Sequence, residues 1–190
     1  MGVDKAGLAL GGRTLLERAA ATLTPIAAEV LLACGRRERY GELGIPLVLD
    51  AREDGGPLAG LEAGLARART PWLAALACDM PRASPAVFLA LQDLAIQNDL
   101  DACLLATDEG VEPLLAVYRR TCLEPVRAAL TAGERRIIAF HPLPGPAGRA
   151  LAIGTLSERD LQPDLVERGV ARNVNTPADM AAELAARSLP

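Results

Sequence analysis

Four short segments hold the residues of this chain that could do chemistry. Asp50 ends the apolar triplet Leu47-Val48-Leu49 and leads into Asp54-Gly55-Gly56-Pro57-Leu58-Ala59-Gly60. Asp79 follows an apolar run over residues 72–77, inside Ala77-Cys78-Asp79-Met80-Pro81. Asn173 and Asn175 occupy alternate positions of Asn173-Val174-Asn175-Thr176-Pro177. Lys5 is the one lysine of the chain, although Lys and Arg together number 20. These residue types suit anionic phosphates. Glycines ahead of a helix bring the backbone close to a ligand and aim amides at it, and the helix N-terminus favours negative charge. A carboxylate at a strand end suits Mg²⁺, which takes one or two carboxylates and leaves its other positions to water and phosphate oxygens. A compact ammonium reaches a single phosphate oxygen, where the planar guanidinium fork favours bidentate contacts. A plainer reading stands beside each: a Gly-Pro turn that starts a helix, an Asp shaping the turn before Pro81, an Asn175 doing the same further on, and a composition poor in lysine.

Other chemistries have less to work with. His141 is the only histidine, beside the Pro- and Gly-rich loop over 141–148 and without an evident acidic or nucleophilic partner. There is no G-x-S-x-G elbow, so covalent serine hydrolysis has no support. Cys34, Cys78, Cys103 and Cys122 lie far apart with no C-x-x-C pair, which argues against zinc. Cys34 and Cys103 read as small apolar residues kept reduced. A net charge of -4, a pI of about 5.1 and 3% aromatic residues argue against a nucleic-acid partner. No apolar run is long enough for a bilayer and no secretory signal is visible, so a cytoplasmic address without a membrane partner is expected.

An α/β frame must position these segments. Short apolar runs alternate with longer amphipathic or Ala-rich stretches, the pattern of βαβ units and a largely parallel sheet. Strands are expected over 29–34, 47–49, 102–106 and 114–118, and the unbroken apolar run 72–77 reads as a central strand buried on both faces. The spacing of Leu15, Leu16, Ala19 and Leu23 predicts a helix over 15–23, with others over 58–68 and 122–132. Ser84-Pro85 and Thr176-Pro177-Ala178-Asp179 each pair an N-cap with a proline at the first helical position. At 190 residues and 51% hydrophobic, the chain is expected to form one domain over 1–190. Ligands of open α/β sheets bind outside the carboxyl ends of strands, where Asp50 and Asp79 stand.

Five segments in order and spacing carry a resemblance: Met1-Gly2-Val3-Asp4-Lys5, Gly56-Pro57-Leu58-Ala59-Gly60-Leu61, Ala77-Cys78-Asp79-Met80-Pro81, Pro113-Leu114-Leu115-Ala116-Val117-Tyr118-Arg119-Arg120 and Asn173-Val174-Asn175-Thr176-Pro177. Together they resemble the molybdenum cofactor guanylyltransferases. The resemblance implies a three-layer Rossmann-like nucleotidyltransferase fold with a mostly parallel sheet. It implies an enzyme that joins GMP from GTP to molybdopterin carrying molybdenum, releases pyrophosphate and uses Mg²⁺, with molybdoenzyme maturation proteins as further partners. By position, it makes Lys5 a catalytic ligand of the GTP phosphates and Asp79 the catalytic Mg²⁺ ligand. Asp50 becomes a nucleotide contact, with Gly56, Pro57, Leu58 and Gly60 lining the nucleotide pocket and Asn173 and Asn175 on the pterin side. In relatives an Asn that touches the nucleotide can stand where this chain has Ala33. The alternatives are a cytidylyltransferase acting on the same pterin or another phosphorylated metabolite, and a non-catalytic nucleotide-binding or scaffold protein. The family's opening strand and its loop resembling Leu-Ala-Gly-Gly-x-Ser-x-Arg-Met-Gly have only Met1-Gly2 as counterpart. A start read too late, or a short form without catalysis, is therefore expected. Transfer between phosphates brings anions together, so positioning and charge neutralisation would supply catalysis, with the acceptor's ionised phosphate as nucleophile and no obligatory general base.

Overall fold

Side chains that cap helices fix several elements of the computed structural model, which describes residues 5–52 and 54–187. Helix α1 (Leu15–Leu23) opens on a capping box: Thr14 Oγ1 accepts from the Glu17 amide at 3.1 Å, and Glu17 Oε2 accepts from the Thr14 amide at 2.7 Å. Helix α2 (Gly56–Arg67) follows the Gly-Pro segment, and α3 (Pro85–Gln97) starts at N-cap Ser84 with Pro85 in its first turn. Helices α4 (Leu123–Thr131) and α5 (Pro163–Arg168) precede α6 (Pro177–Arg187). At the start of α6, Asp179 Oδ2 accepts from the amides of Asn175 and Thr176, and Thr176 Oγ1 accepts from the Asp179 amide.

Strands β1 (Ala9–Leu10) and β2 (Arg13–Thr14) form a short antiparallel pair, and β3 (Leu32–Ala33) pairs in parallel with β4 (Leu47–Val48). Strands β5 (Trp72–Leu76), β6 (Ala102–Thr107), β7 (Gly110–Arg119) and β8 (Ile153–Ser157) form a sheet in the order β5-β7-β6-β8. The α/β class and the mostly parallel sheet both stand, since β5, β6 and β8 run one way and β7 alone is reversed. The cause of that reversal is local: only Asp108 and Glu109 separate β6 from β7, and a parallel connection needs a crossover of about a dozen residues or more.

Alternation along the strands divides the core between the two sheet faces. Ala102, Leu104, Ala116 and Tyr118 meet Leu58, Leu61 and Leu65 of α2 and Val126 and Ala129 of α4. Their neighbours Cys103, Leu105, Leu115 and Val117 meet Val87, Phe88 and Leu91 of α3 and Leu165 of α5. Helices thus cover both faces, giving three layers. The ladder between β6 and β7 jumps from Leu104↔Ala116 to Leu105↔Glu112, a bulge that includes Pro113. The buried Tyr118 hydroxyl donates to the Pro113 carbonyl at 2.7 Å, which meets its hydrogen-bonding need. β5 departs from expectation: it lies at the sheet edge and is half-buried along its length, rather than central.

Candidate active site

The residues that follow β3, β4 and β5 line one cavity of about 510 Å³. Cys34 and Gly35 come from the end of β3, Asp50 from the end of β4, Gly56, Pro57 and Gly60 from the first turns of α2, and Cys78 and Asp79 from the end of β5. The Asp50 amide donates to the Gly35 carbonyl at 2.9 Å, which ties the two strand ends together. Gly60 sits on Ala33; a Cβ there would lie 3.4 Å from the Ala33 methyl. Ala33 is therefore a wall of the cavity, with no polar group to offer.

Asp50 is the most conspicuous group in this wall. Its Oδ1 is buried without a hydrogen-bond partner, and burial first, then the charge of nearby Glu62, pushes its carboxyl above the usual range. Glu62 is itself buried, and the Arg127 Nε donates to it at 2.9 Å. Arg127 thus answers Glu62, and Asp50, a residue of the cavity wall, keeps one buried acceptor without a donor. A buried acceptor without a donor is costly unless a ligand supplies one.

The Gly-Pro segment supplies shape more than donors. Gly56 has φ +61°, and a Cβ there would lie 3.3 Å from both the Cβ and the carbonyl oxygen of Arg135. Pro57 carries no N–H, and the Leu58 amide is spent on the Arg135 carbonyl at 3.3 Å. The Leu58 side chain is fully buried among the residues of α2, α4 and the sheet, so it faces away from the cavity. The amide cradle expected from this segment is therefore narrower than its glycines suggest.

Asp79 stands in the turn after β5, and its carbonyl accepts from the Val174 amide at 2.7 Å. This bond brings the Asn173–Asn175 segment against the metal candidate from the far end of the sequence. The antiparallel register of β5 and β7 pairs Leu76 with Leu115, and the Ala77 amide donates to the Leu114 carbonyl at 2.9 Å. Glu112, further along β7 toward its start, lies close enough to Asp79 to feel its charge. Burial raises the Glu112 carboxyl above its usual range; a hydrogen bond with the Asn173 side chain opposes the rise, and the charges of Asp79, Glu109 and Glu158 add to it. Asn173 thus faces the carboxylates beside Asp79, while the backbone of Asn175 serves the start of α6. Lys5 begins a 3-10 turn (Lys5–Gly7) whose Ala6 lines the cavity; the side chain of Lys5 and the whole of Met1-Gly2-Val3-Asp4 lie outside the described residues.

Several residues of this region escaped the sequence reading. Arg39 and Tyr40 line the cavity, the Arg39 guanidinium over the Tyr40 ring at 5.9 Å and its Nη2 donating to the Cys34 carbonyl at 3.1 Å. The rule that singles out strand ends would have found them, since they follow β3. Glu62 and Glu112 left no local signal.

Residues 1–145 match the MobA-like NTP transferase domain. The chain belongs to that family. As a MobA-like NTP transferase it is a nucleotidyltransferase. It is 33% identical over 181 residues to the "Probable molybdenum cofactor guanylyltransferase" of Pelotomaculum thermopropionicum, covering 95% of this chain and 83% of that protein. It is 34% identical over 178 residues to the "Molybdenum cofactor guanylyltransferase" of Pseudomonas fluorescens, covering 93% and 82%. Its fold is similar to that of molybdopterin-guanine dinucleotide biosynthesis protein A from Archaeoglobus fulgidus, with a TM-score of 0.80 at 24% identity, over 98% of this chain and 92% of that one. Among the described residues, no helix is long and apolar enough to cross a membrane.

Proposed function

We propose that this MobA-like NTP transferase acts in molybdenum cofactor biosynthesis, transferring GMP from GTP to the phosphate of molybdenum-molybdopterin. The observation that carries the reading is the unpartnered Asp50 oxygen in the wall of a cavity that also holds Asp79. A guanine or ribose edge presents N–H or O–H donors, and a buried carboxylate oxygen is the group that rewards them. The names of the relatives direct the choice of substrates.

In this reading Asp50 holds the nucleotide, while Gly56, Pro57 and Gly60 shape the wall around it and Leu58 supports that wall from the core. Lys5 neutralises the GTP phosphates. Asn173 and Asn175 belong to the acceptor side. The donors at the end of β5 are hard oxygens, with Asp79 on the cavity and Glu112 coupled to it, which fits Mg²⁺. Asp79 would hold that ion, which when bound offsets the charge of the phosphates. An oxygen of the acceptor phosphate attacks the α-phosphorus of GTP, the bond to the β-phosphate oxygen breaks, and pyrophosphate leaves. The residues bring the two anions together and hold them in line.

Release of pyrophosphate from Mg-GTP in the presence of molybdopterin is the direct test, with CTP as competitor. Silence with both nucleotides refutes the reading, and preference for CTP replaces the base. Asp79→Asn should abolish transfer with an unchanged unfolding midpoint; metal-dependent turnover in that variant would remove Asp79 as the ligand.

A further inference from the structure

The Asp79 turn and the Asn173–Asn175 segment are joined by more than the Val174 amide. Arg82, three residues past Asp79, donates from Nε to Glu183 Oε2 at 2.8 Å and from Nη1 to the Arg168 carbonyl at 2.9 Å. Glu183, on α6, is 1% exposed, and its other oxygen faces Arg172 Nε at 3.7 Å. Arg172 immediately precedes Asn173. One buried carboxylate therefore ties the loop after Asp79 to the helix that follows the Asn segment, and only its charge reaches Arg172, since Oε1 has no hydrogen-bond partner. For stability alone, apolar residues serve as well as a buried ion pair, which repays its desolvation only with good geometry. What this pair fixes is a separation: the Asp79 turn on one side, Asn173 and Asn175 on the other. The guanidinium is needed because Arg82 serves two acceptors at once, which a single ammonium on a flexible stem does poorly. The nucleotide wall is anchored elsewhere, through the Arg135 carbonyl and the Arg127–Glu62 pair.

We propose that Arg82 and Glu183 are positioning residues that set the acceptor side of the site against Asp79 and leave the nucleotide pocket unaffected. The inference rests on the functional reading above.

Glu183→Gln and Arg82→Lys in the full chain test it; the lysine variant keeps the charge of the pair and guards against a glutamine variant that fails to fold. Calorimetry with Mg-GTP should give wild-type affinity in both. The kcat/KM for molybdopterin should fall about 10–100-fold in Glu183→Gln, as for other groups that orient a ligand from behind, and by less in Arg82→Lys. Hydrogen exchange at the Val174 amide should quicken in step. Mg-GTP affinity falling together with acceptor kinetics and the unfolding midpoint would make the pair merely structural and overturn the inference, as would wild-type acceptor kinetics in both variants. A wild-type chain that neither binds Mg-GTP nor turns over refutes the functional reading, and the inference with it.

Discussion

Asp50→Asn should move stability and nucleotide affinity in opposite directions. Burial, with Glu62 beside it, holds the Asp50 carboxyl above its usual range, and Oδ1 has no partner. A carboxyl whose pKa is higher in the folded state gives a folded chain that grips the proton more tightly than the unfolded one. Its contribution to stability is present below the unfolded carboxylate range, about pH 4, and is lost as pH rises through the raised value. At neutral pH the ionised Asp50 works against folding, and an amide of the same shape removes that opposition. An unsatisfied buried polar group costs about 1–3 kcal/mol. Because the Asn oxygen remains unsatisfied, we expect the low end of that range, about 1 kcal/mol, or about 2–4 °C in the melting midpoint for a chain of this size. The same substitution removes one charge-assisted hydrogen bond to the nucleotide, about 1.5–3 kcal/mol, which raises the Kd for Mg-GTP about 10–150-fold. Urea unfolding at neutral pH and again below pH 4, beside calorimetric titration, reads both effects. The reasoning fails if the variant is less stable than wild type at neutral pH, if a stability gain persists in acid, or if nucleotide affinity is unchanged.

Three further substitutions probe the frame and the site. Asp101 is fully buried and accepts from Arg149 Nη1 at 2.7 Å, Arg149 Nη2 at 2.6 Å, Thr121 Oγ1 at 2.7 Å and the Ala152 amide at 3.0 Å. Burial alone would raise its carboxyl, but the bonds from Arg149, Ala152 and Thr121 outweigh it and leave it below the usual range, so its stabilisation is present above that range and lost as pH falls through the depressed value. Asp101→Asn should cost about 3 kcal/mol, the low end for a broken buried pair because a half-exposed Arg149 can rehydrate; an unchanged urea midpoint at neutral pH would contradict this. Gly56→Ala places a side chain at φ +61° against Arg135 and should cost about 1–3 kcal/mol, also read by urea unfolding. Lys5→Arg should sharply lower kcat/KM for GTP if a point charge is required, and near-normal kinetics would return that lysine to a mere quirk of composition.

What could be read from the sequence was whatever neighbouring residues decide. The helix over 15–23, the Ser84-Pro85 start and the Thr176-Pro177 start are all present, because a cap is settled within four residues. Strand ends pointed to Asp50 and Asp79, and both line the cavity. Distant partners were hidden. The Arg135 carbonyl takes the Leu58 amide, and no pattern around Gly56 announces that. Glu112 comes near Asp79 because β7 pairs with β5, a long-range pairing that no local pattern announces. Strand β8 and helix α5 were also missed, although Pro163 at a helix start and Gly169 at its end with φ +62° mark α5 locally.

The strand β5 shows why one reading can be half right. Its unbroken apolar run reports what touches its two faces: Leu73 and Ala75 pack with the α2 and α4 side, and Trp72, Ala74 and Leu76 with the α3 side. Apolar content says nothing of what pairs with the edges, because ladder bonds are made by the backbone, which every residue shares. One edge of β5 pairs with β7; the other faces the β3 side across cavities of about 510 and 540 Å³ that share Leu23, Val30, Leu31, Leu73 and Ala74. The run therefore marks a strand with apolar packing on both faces, yet one only half-buried and at the edge of the ladder. Asp79 is untouched by that difference, since the end of the strand, and not its rank in the sheet, puts the carboxylate in the cavity wall.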